Sequence, residues 1–457
     1  MVRFAQCLVL LAFISAAPAA ATQLSIAGAR IADLEVAKSS YVLKSKAFTP
    51  QTRQHALALI ADLEQRAGTL SDAQYLIGMM EVAACAENGH DSLDIGDGAW
   101  TPATRLPLRF IWFPDGIVVA RAAPELAGLL GARVMRVEGL TSAELLARLR
   151  PLSGGTDTYR KWDLMWVVEN GGMLHALGVA SDPNKLAFDF LLPDGRQISR
   201  TIAFVPKSQL PGGADPARYW SPQPIDTEMA HGWRTALYRV RTPLYLEEAD
   251  TLYRASALPE ALYVQFRANW DENGQYIKPF AQSLLAQIEA SPPENVVLDL
   301  RFDVGGDIDV TRALMKAIAQ RTFGRVYLLV GRYTFSAGIA AAAIVKHDGP
   351  RVTVIGEELG DNLRWWSEID ETCLPHTHLC LRGTHGLWDL AKGCKGEPFC
   401  YGDRFGAVVG SLKPDVFAPL TARNWLAGRD PGMEAVEADL AKVAARPGVG
   451  GRALALP

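Results

Sequence analysis

From about residue 23 to 86 apolar side chains recur every three to four positions: Leu57, Ile60, Leu63 and Leu70, then Tyr75, Leu76, Met79 and Met80. That period puts one stripe of each turn into a core and predicts helices. Asn88-Gly89-His90-Asp91 breaks the run. Between about 106 and 205 the pattern shortens to strand-length runs at 108–113, 117–120, 133–137, 186–192 and 198–204, with turns such as Pro114-Asp115-Gly116 between them. One helix is expected over 142–149, opened by Thr141 and Ser142 with Glu144 behind, and another near 162–170. The stretch 206–224 is rich in proline and glycine and reads as a linker. Beyond about Trp233 strands and helices alternate: strands at 262–266, 296–300, 325–330 and 352–355, helices at 277–291, 309–320 and 336–346. Such alternation implies an α/β sheet with crossover helices.

Composition adds a compartment. Met1-Val2-Arg3, an apolar run over about 8–14 and small residues after it form a secretory leader, residues 1–21, with cleavage choices near 17–21. The run is too short to span a bilayer, so no membrane anchor is expected. A net charge of −4 without any basic run argues against a nucleic-acid partner. Four of the six cysteines, Cys373, Cys380, Cys394 and Cys400, crowd into one stretch with His376, His378 and His385. Zinc-knuckle spacing is missing and export favours oxidation, so two disulfides are expected and no metal. Cys373–Cys380 with Cys394–Cys400 is the local guess, since sequence does not give the pairing. Cys85 is expected to be a buried free thiol.

Two strand-to-loop junctions carry the candidate chemistry. The run from Val296 ends in Gly305-Gly306, where backbone amides stand without side chains. The run from Val326 ends in Thr334-Phe335-Ser336-Ala337-Gly338, placing Ser336 where an alanine-rich helix starts. A helix start offers unpaired amides and partial positive charge, which suits a nucleophile that must discharge negative charge. The Gly306 and Ala337 amides are the candidate oxyanion donors. The plainer alternative is that Ser336 caps the helix.

Asp299-Leu300-Arg301-Phe302-Asp303-Val304-Gly305-Gly306-Asp307 resembles the D-x-R-x-N-x-G-G signature of the tail-specific, or C-terminal processing, peptidases (family S41). Thr334-Phe335-Ser336-Ala337 is similar to their T-x-S-A nucleophile segment. Val354-Ile355-Gly356-Glu357, Lys413-Pro414-Asp415-Val416 and Asp430-Pro431 resemble later landmarks in the right order. Gly131 to Gly139 resembles a strand of the family's PDZ-like module. The loop that bears the base lysine in one branch has none here, and Lys346 is expected to face solvent. Asn88-Gly89-His90 is instead similar to the early motif of the tricorn-core and retinoid-binding-repeat branch, where the histidine is the base of the tricorn enzymes. Histidine also has the pKa best suited to that work near neutrality.

The resemblance implies a ClpP/crotonase-like α/β catalytic core with an N-terminal helical segment and a PDZ-like β-rich module. The expected units are helical 22–105, PDZ-like 106–205, linker 206–232 and catalytic 233–457 with a disulfide-rich insertion at 370–405. It further implies an exported serine peptidase without cofactor, acting on peptide or protein substrates through Ser336 and His90. Glu368 is the first candidate for the acid that orients His90, with Asp361 and Asp403 as alternatives. Trp365 and Trp366 would form a rim for substrate, or pack as part of a stapled lid. Asp303 stands where the family has asparagine; it would oppose charge on a substrate or cap a turn. Two other readings stay open: a binding protein on the same fold, and an α/β-hydrolase esterase with His376, His378 or His385 as base.

Overall fold

The computed structural model describes residues 24–95, 103–211, 219–223, 226–237 and 240–444, so the expected leader lies outside the described residues. The chain opens with helices α1 (Ile26–Val36), α2 (Pro50–Arg66) and α3 (Asp72–Ala84). Capping boxes start α2 (Thr49 with Thr52) and α3 (Ser71 with Gln74), giving orphan amides partners. Their apolar stripes, Ile60 and Leu63 on α2 and Tyr75, Leu76 and Met79 on α3, are buried in one core. The chain leaves α3 through Asn88-Gly89-His90 into strand β1 (Ser92–Asp94).

An antiparallel sheet follows, built in sequence order from β2 (Leu108–Phe113), β3 (Gly116–Ala122), β4 (Arg133–Val137), β5 (Lys185–Leu191) and β6 (Gln197–Ala203). Strand β5 alternates as its sequence predicts, with Leu186, Phe188 and Phe190 inward. Strands β2 and β3 are buried on both faces because two cores meet across them. Phe110, Trp112, Ile117 and Val119 join the helical core, while Ile111, Phe113, Val118 and Ala120 pack with Phe302, Tyr333 and Trp425. Helices α4 (Ser142–Leu149) and α5 (Asp157–Asp163) lie between β4 and β5 in sequence.

The stretch expected to be a linker holds a wedge. Trp220 is fully buried; its Nε1 donates to Tyr333 Oη at 2.9 Å, and its carbonyl accepts from Trp425 Nε1 at 3.1 Å. Arg121 of β3 pairs with Glu228 and donates to the Ser221 and Gln223 carbonyls at 3.2 and 3.1 Å. Proline and glycine mark the segment as non-helical, but Tyr219 and Trp220, both buried with partners for their polar atoms, decide that it packs.

The second half forms a six-stranded sheet in the order β7 (Tyr253–Ala257), β8 (Leu262–Phe266), β9 (Val296–Asp299), β10 (Val326–Val330), β11 (Val352–Gly356) and, at the edge, β14 (Val416–Phe417). All pairs except β7 with β8 are parallel, and the crossovers are α6 (Ile277–Ala290), α7 (Ile308–Arg321) and α8 (Ala337–Asp348). Covered on both faces, β9 and β10 are buried throughout, which is why they read as continuous apolar runs. Helix α9 (Pro431–Ala444) joins the sheet through Tyr327 Oη donating to Asp439 at 2.9 Å. Arg301 follows β9 and spans two carboxylates, Asp299 at 2.6 Å and Asp430 at 2.7 Å, all three buried. That clamp is the physical content of the D-x-R and D-P landmarks.

Between β11 and β14 stands a long hairpin, β12 (Arg364–Cys373) and β13 (Cys380–Asp389), and β1 from the first half adds to it as a third strand, Ser92 opposite Arg382. Disulfides Cys373–Cys380 and Cys394–Cys400 are formed, in the pairing guessed from spacing. Cys85 is free but half-buried rather than buried, and desolvation pushes its thiol up to about 11.

Candidate active site

Ser336 stands at the mouth of α8 with φ 51° and ψ −122°, a strained backbone for a residue with a side chain. Its hydroxyl makes no capping hydrogen bond. The loop before it is pinned from three sides. Thr334 Oγ1 donates to Leu300 O at 2.7 Å, the Phe335 amide to Asp303 O at 2.9 Å, and Thr334 O accepts from the Gly360 amide at 3.0 Å. The T-x-S spacing thus ties the end of β10 to the end of β9.

The paired glycines lie against this serine. Gly305 has φ 104°, and an added Cβ would fall 2.6 Å from Ser336 Cβ and 3.0 Å from Ala337 N. Gly306 has φ 124°, and its missing side chain would meet Asn269 O at 2.5 Å and the Trp270 ring at 3.0 Å. Among the described residues neither the Gly306 nor the Ala337 amide has an acceptor. Both are therefore free to donate outward.

Asp303 is fully buried under the loop. It accepts from the Gly305 amide at 3.0 Å and from Asn269 Nδ2 at 2.8 and 2.9 Å. Of its two expected roles it fills the turn cap. Desolvation pushes its carboxyl up to about 7, against the pull of those hydrogen bonds. Asn269 also donates its amide to Gly305 O at 2.6 Å and takes in the Asp307 amide at 2.9 Å. Sequence reading missed Asn269, because its partners come from the neighbouring strand's register.

His90 arrives from the other half of the chain. Its ring stacks on Phe335, the residue before Ser336, at 4.4 Å between centroids and 22° between planes. On a longer spacing it lies parallel to Trp365 at 6.5 Å, and Trp365 stacks on Trp388 at 5.3 Å. Asn88 holds the loop. Its Nδ2 donates to Trp366 O and to Asp91, and its Oδ1 accepts from Trp366 N at 3.1 Å. Gly89 lies close against this ring, since a Cβ there would stand 3.2 Å from Phe335. Asp91 accepts from Ser45 at 2.7 Å and from Thr384 of β13 at 2.6 Å.

The carboxylate facing His90 is Asp361, with Oδ2 3.9 Å from Nδ1 and Oδ1 held by the Asn362 amide at 2.8 Å. Glu368 instead accepts from Trp388 Nε1 at 3.4 Å, two rings away from the imidazole. Asp403 is exposed. Burial pushes His90 down to about 3 and Asp361 up to about 7, so the imidazole is neutral near neutrality. Both ring nitrogens and Asp361 Oδ2 are buried without hydrogen-bond partners among the described residues.

The tryptophan pair expected at the rim is divided. Trp365 is 4% exposed and packs in the core, whereas Trp366 is half-buried against Phe399. Lys346 reaches Asp415 and Val352 O, both at 3.3 Å, on the far side of α8 from Ser336 in sequence. His385 pairs with Asp370 at 2.9 Å on the exposed hairpin. Glu371, Cys373 and Cys380 cluster closely enough to suggest a metal, but the disulfide removes both thiolates.

No family model matches the chain, and no curated protein matches it in sequence. Among solved structures it is similar to mature CPAF, with a TM-score of 0.58 at 12% identity over 93% of this chain and 99% of that one. CPAF complexed with lactacystin gives 0.56 at 12% identity over 92% and 98%. A photosystem II D1 C-terminal processing protease aligns over 88% of this chain and 94% of its own at 12% identity, with a TM-score of 0.36. Along nearly its whole length the chain has the fold of mature CPAF, an α/β architecture of the kind expected from its motifs.

Proposed function

We propose that the protein is an exported serine peptidase of the tail-specific kind, with Ser336 as nucleophile, His90 as base and Asp361 as the acid behind it. The observation that carries this is the strained, uncapped Ser336, packed against Gly305 beside two amides without acceptors among the described residues. In this reading Ser336 Oγ attacks the scissile carbonyl and its proton passes to His90. The oxyanion forms between the Gly306 and Ala337 amides, in water-poor surroundings where such donors act strongly. His90 then returns the proton to the leaving amine, and water attacks the acyl-enzyme by the same route. Asp361 stabilises the imidazolium, as a carboxylate within 4 Å of a buried cation does. The likeness to CPAF supports the fold this needs, and two disulfides support export.

One observation favours a second reading, a binding protein on the same fold. His90 makes no hydrogen bond to Ser336, its ring nitrogens being without partners among the described residues. Uncomplexed sites do hold such pairs apart until substrate arrives. Labelling with a fluorophosphonate separates the two. The peptidase reading expects a covalent adduct, absent in Ser336→Ala and at least about a hundredfold slower in His90→Ala. A wild-type protein that stays unlabelled is a binding protein.

A further inference from the structure

Trp270 has a place that none of the site chemistry above uses. It follows Asn269, whose side chain and backbone fix the glycine loop, so its position is set by the same bonds that set Gly305 and Gly306. Its ring rests on Gly306 at 3.0 Å from the missing Cβ, with 39% of the residue exposed, although tryptophan is ordinarily well covered. Gly305 faces Ser336 and Gly306 faces Trp270, so the serine and the ring abut successive residues of one loop. Neighbouring Cα atoms are about 3.8 Å apart, so a side chain flanking a carbonyl held over Gly306 reaches the indole.

The chemistry around the ring selects the occupant. Trp270 Nε1 is taken by Glu272 Oε2 at 3.0 Å, which leaves the π-face open and brings a carboxylate to its edge. Asp307, next to Gly306, is exposed as well. Among the described residues neither Glu272 nor Asp307 forms an ion pair, while the nearby Arg404 is already paired with Asp309. An indole face attracts a cation more strongly than the face of any other aromatic side chain does. These two carboxylates, one bonded to the indole and one capping α7 but neither in an ion pair among the described residues, add to that attraction and repel an acidic side chain. An apolar side chain would gain the ring but nothing from the charges.

We propose that Trp270 is the specificity-determining residue of the Ser336 site, a platform that receives a lysine or arginine side chain of the substrate. The proposal rests on the peptidase reading above and adds a substrate class to it. Two diphenyl phosphonates test it, one with a lysine-like and one with a phenylalanine-like side chain, read as rates of adduct formation on the full chain. The wild type is expected to prefer the lysine-like probe. Trp270→Ala should cut that preference roughly tenfold, while Trp270→Phe should keep most of it. Glu272→Gln preserves the acceptor for the indole N–H, removes the charge, and should lower the preference a few-fold at low salt. A plain fluorophosphonate that still labels each variant shows that it is folded. Preference for the phenylalanine-like probe, or a ratio unmoved by Trp270→Ala, overturns the proposal and leaves the peptidase reading standing. Failure of every phosphonate overturns both.

Discussion

The two halves of the candidate site are held in opposite ways. On the nucleophile side polar bonds do the work: Asn269, Asp303, Thr334 and the backbone of Gly305 lock together. On the base side Asn88 and Asp91 pin the loop by polar bonds. The imidazole itself is held by rings, stacked on Phe335 and parallel to Trp365, its nitrogens without partners among the described residues. Hydrogen bonds define positions to fractions of an ångström, and a donor network aimed at an oxyanion needs that. Stacked rings fix a plane while leaving the ring's polar atoms available. A base that must take a proton from one atom and give it to another needs that freedom.

This comparison can be broken at its strongest point by Gly305→Ala. The new Cβ has no room beside Ser336 and demands a backbone that L-residues rarely adopt, so labelling of Ser336 should fall on the order of a thousandfold. Loss of only a few-fold would mean the loop is looser than its bonds imply. Asp361→Asn comes next, with turnover expected to fall at least about a hundredfold. Because Asp361 titrates at about 7, the wild-type rate should rise with pH through that value as the carboxylate forms, and the variant should lose that limb.

Asp303→Asn probes stability instead. A buried carboxyl raised to about 7 holds its proton in the folded state while the unfolded chain has already released it. Its contribution is therefore intact at pH 4 and is lost as pH rises toward 7. Asp361 behaves in the same direction, whereas His90, lowered to about 3, adds stability as pH rises from 3 to 6.5. Asp303→Asn should raise stability at pH 8 by about 2 kcal/mol and change little at pH 4, by denaturant melts at both values. The smallest expected effect is His385→Ala. That side chain is paired on the exposed hairpin, so labelling should not move, and a collapse there would revive the esterase reading.

Much of the nucleophile half was legible in the sequence because its devices are local. Gly305-Gly306 and Thr334-Phe335-Ser336 act within a few residues of the strands that carry them. The fully buried β9 and β10 announced themselves as apolar runs. What was not legible depends on register and loop direction. Glu368 and Asp361 are both carboxylates beyond β11, and no pattern tells which one an irregular loop turns toward His90. Trp270 becomes a neighbour of Gly306 only through a bridge across the sheet. Trp220 hid in a segment whose proline and glycine content said nothing of the cavity it fills.

The clamp at Arg301 has a consequence for biosynthesis. Its guanidinium sits beside the bend that presents the glycine amides, yet one of its two counter-ions, Asp430, is made only after the ribosome has passed every candidate catalytic residue. Before that residue docks, Arg301 has Asp299 alone, and the Nη1 donor that Asp430 takes is left in the interior without its acceptor. The bend at Gly305 and Gly306 is thereby fully braced only once the segment that carries Asp430 has docked.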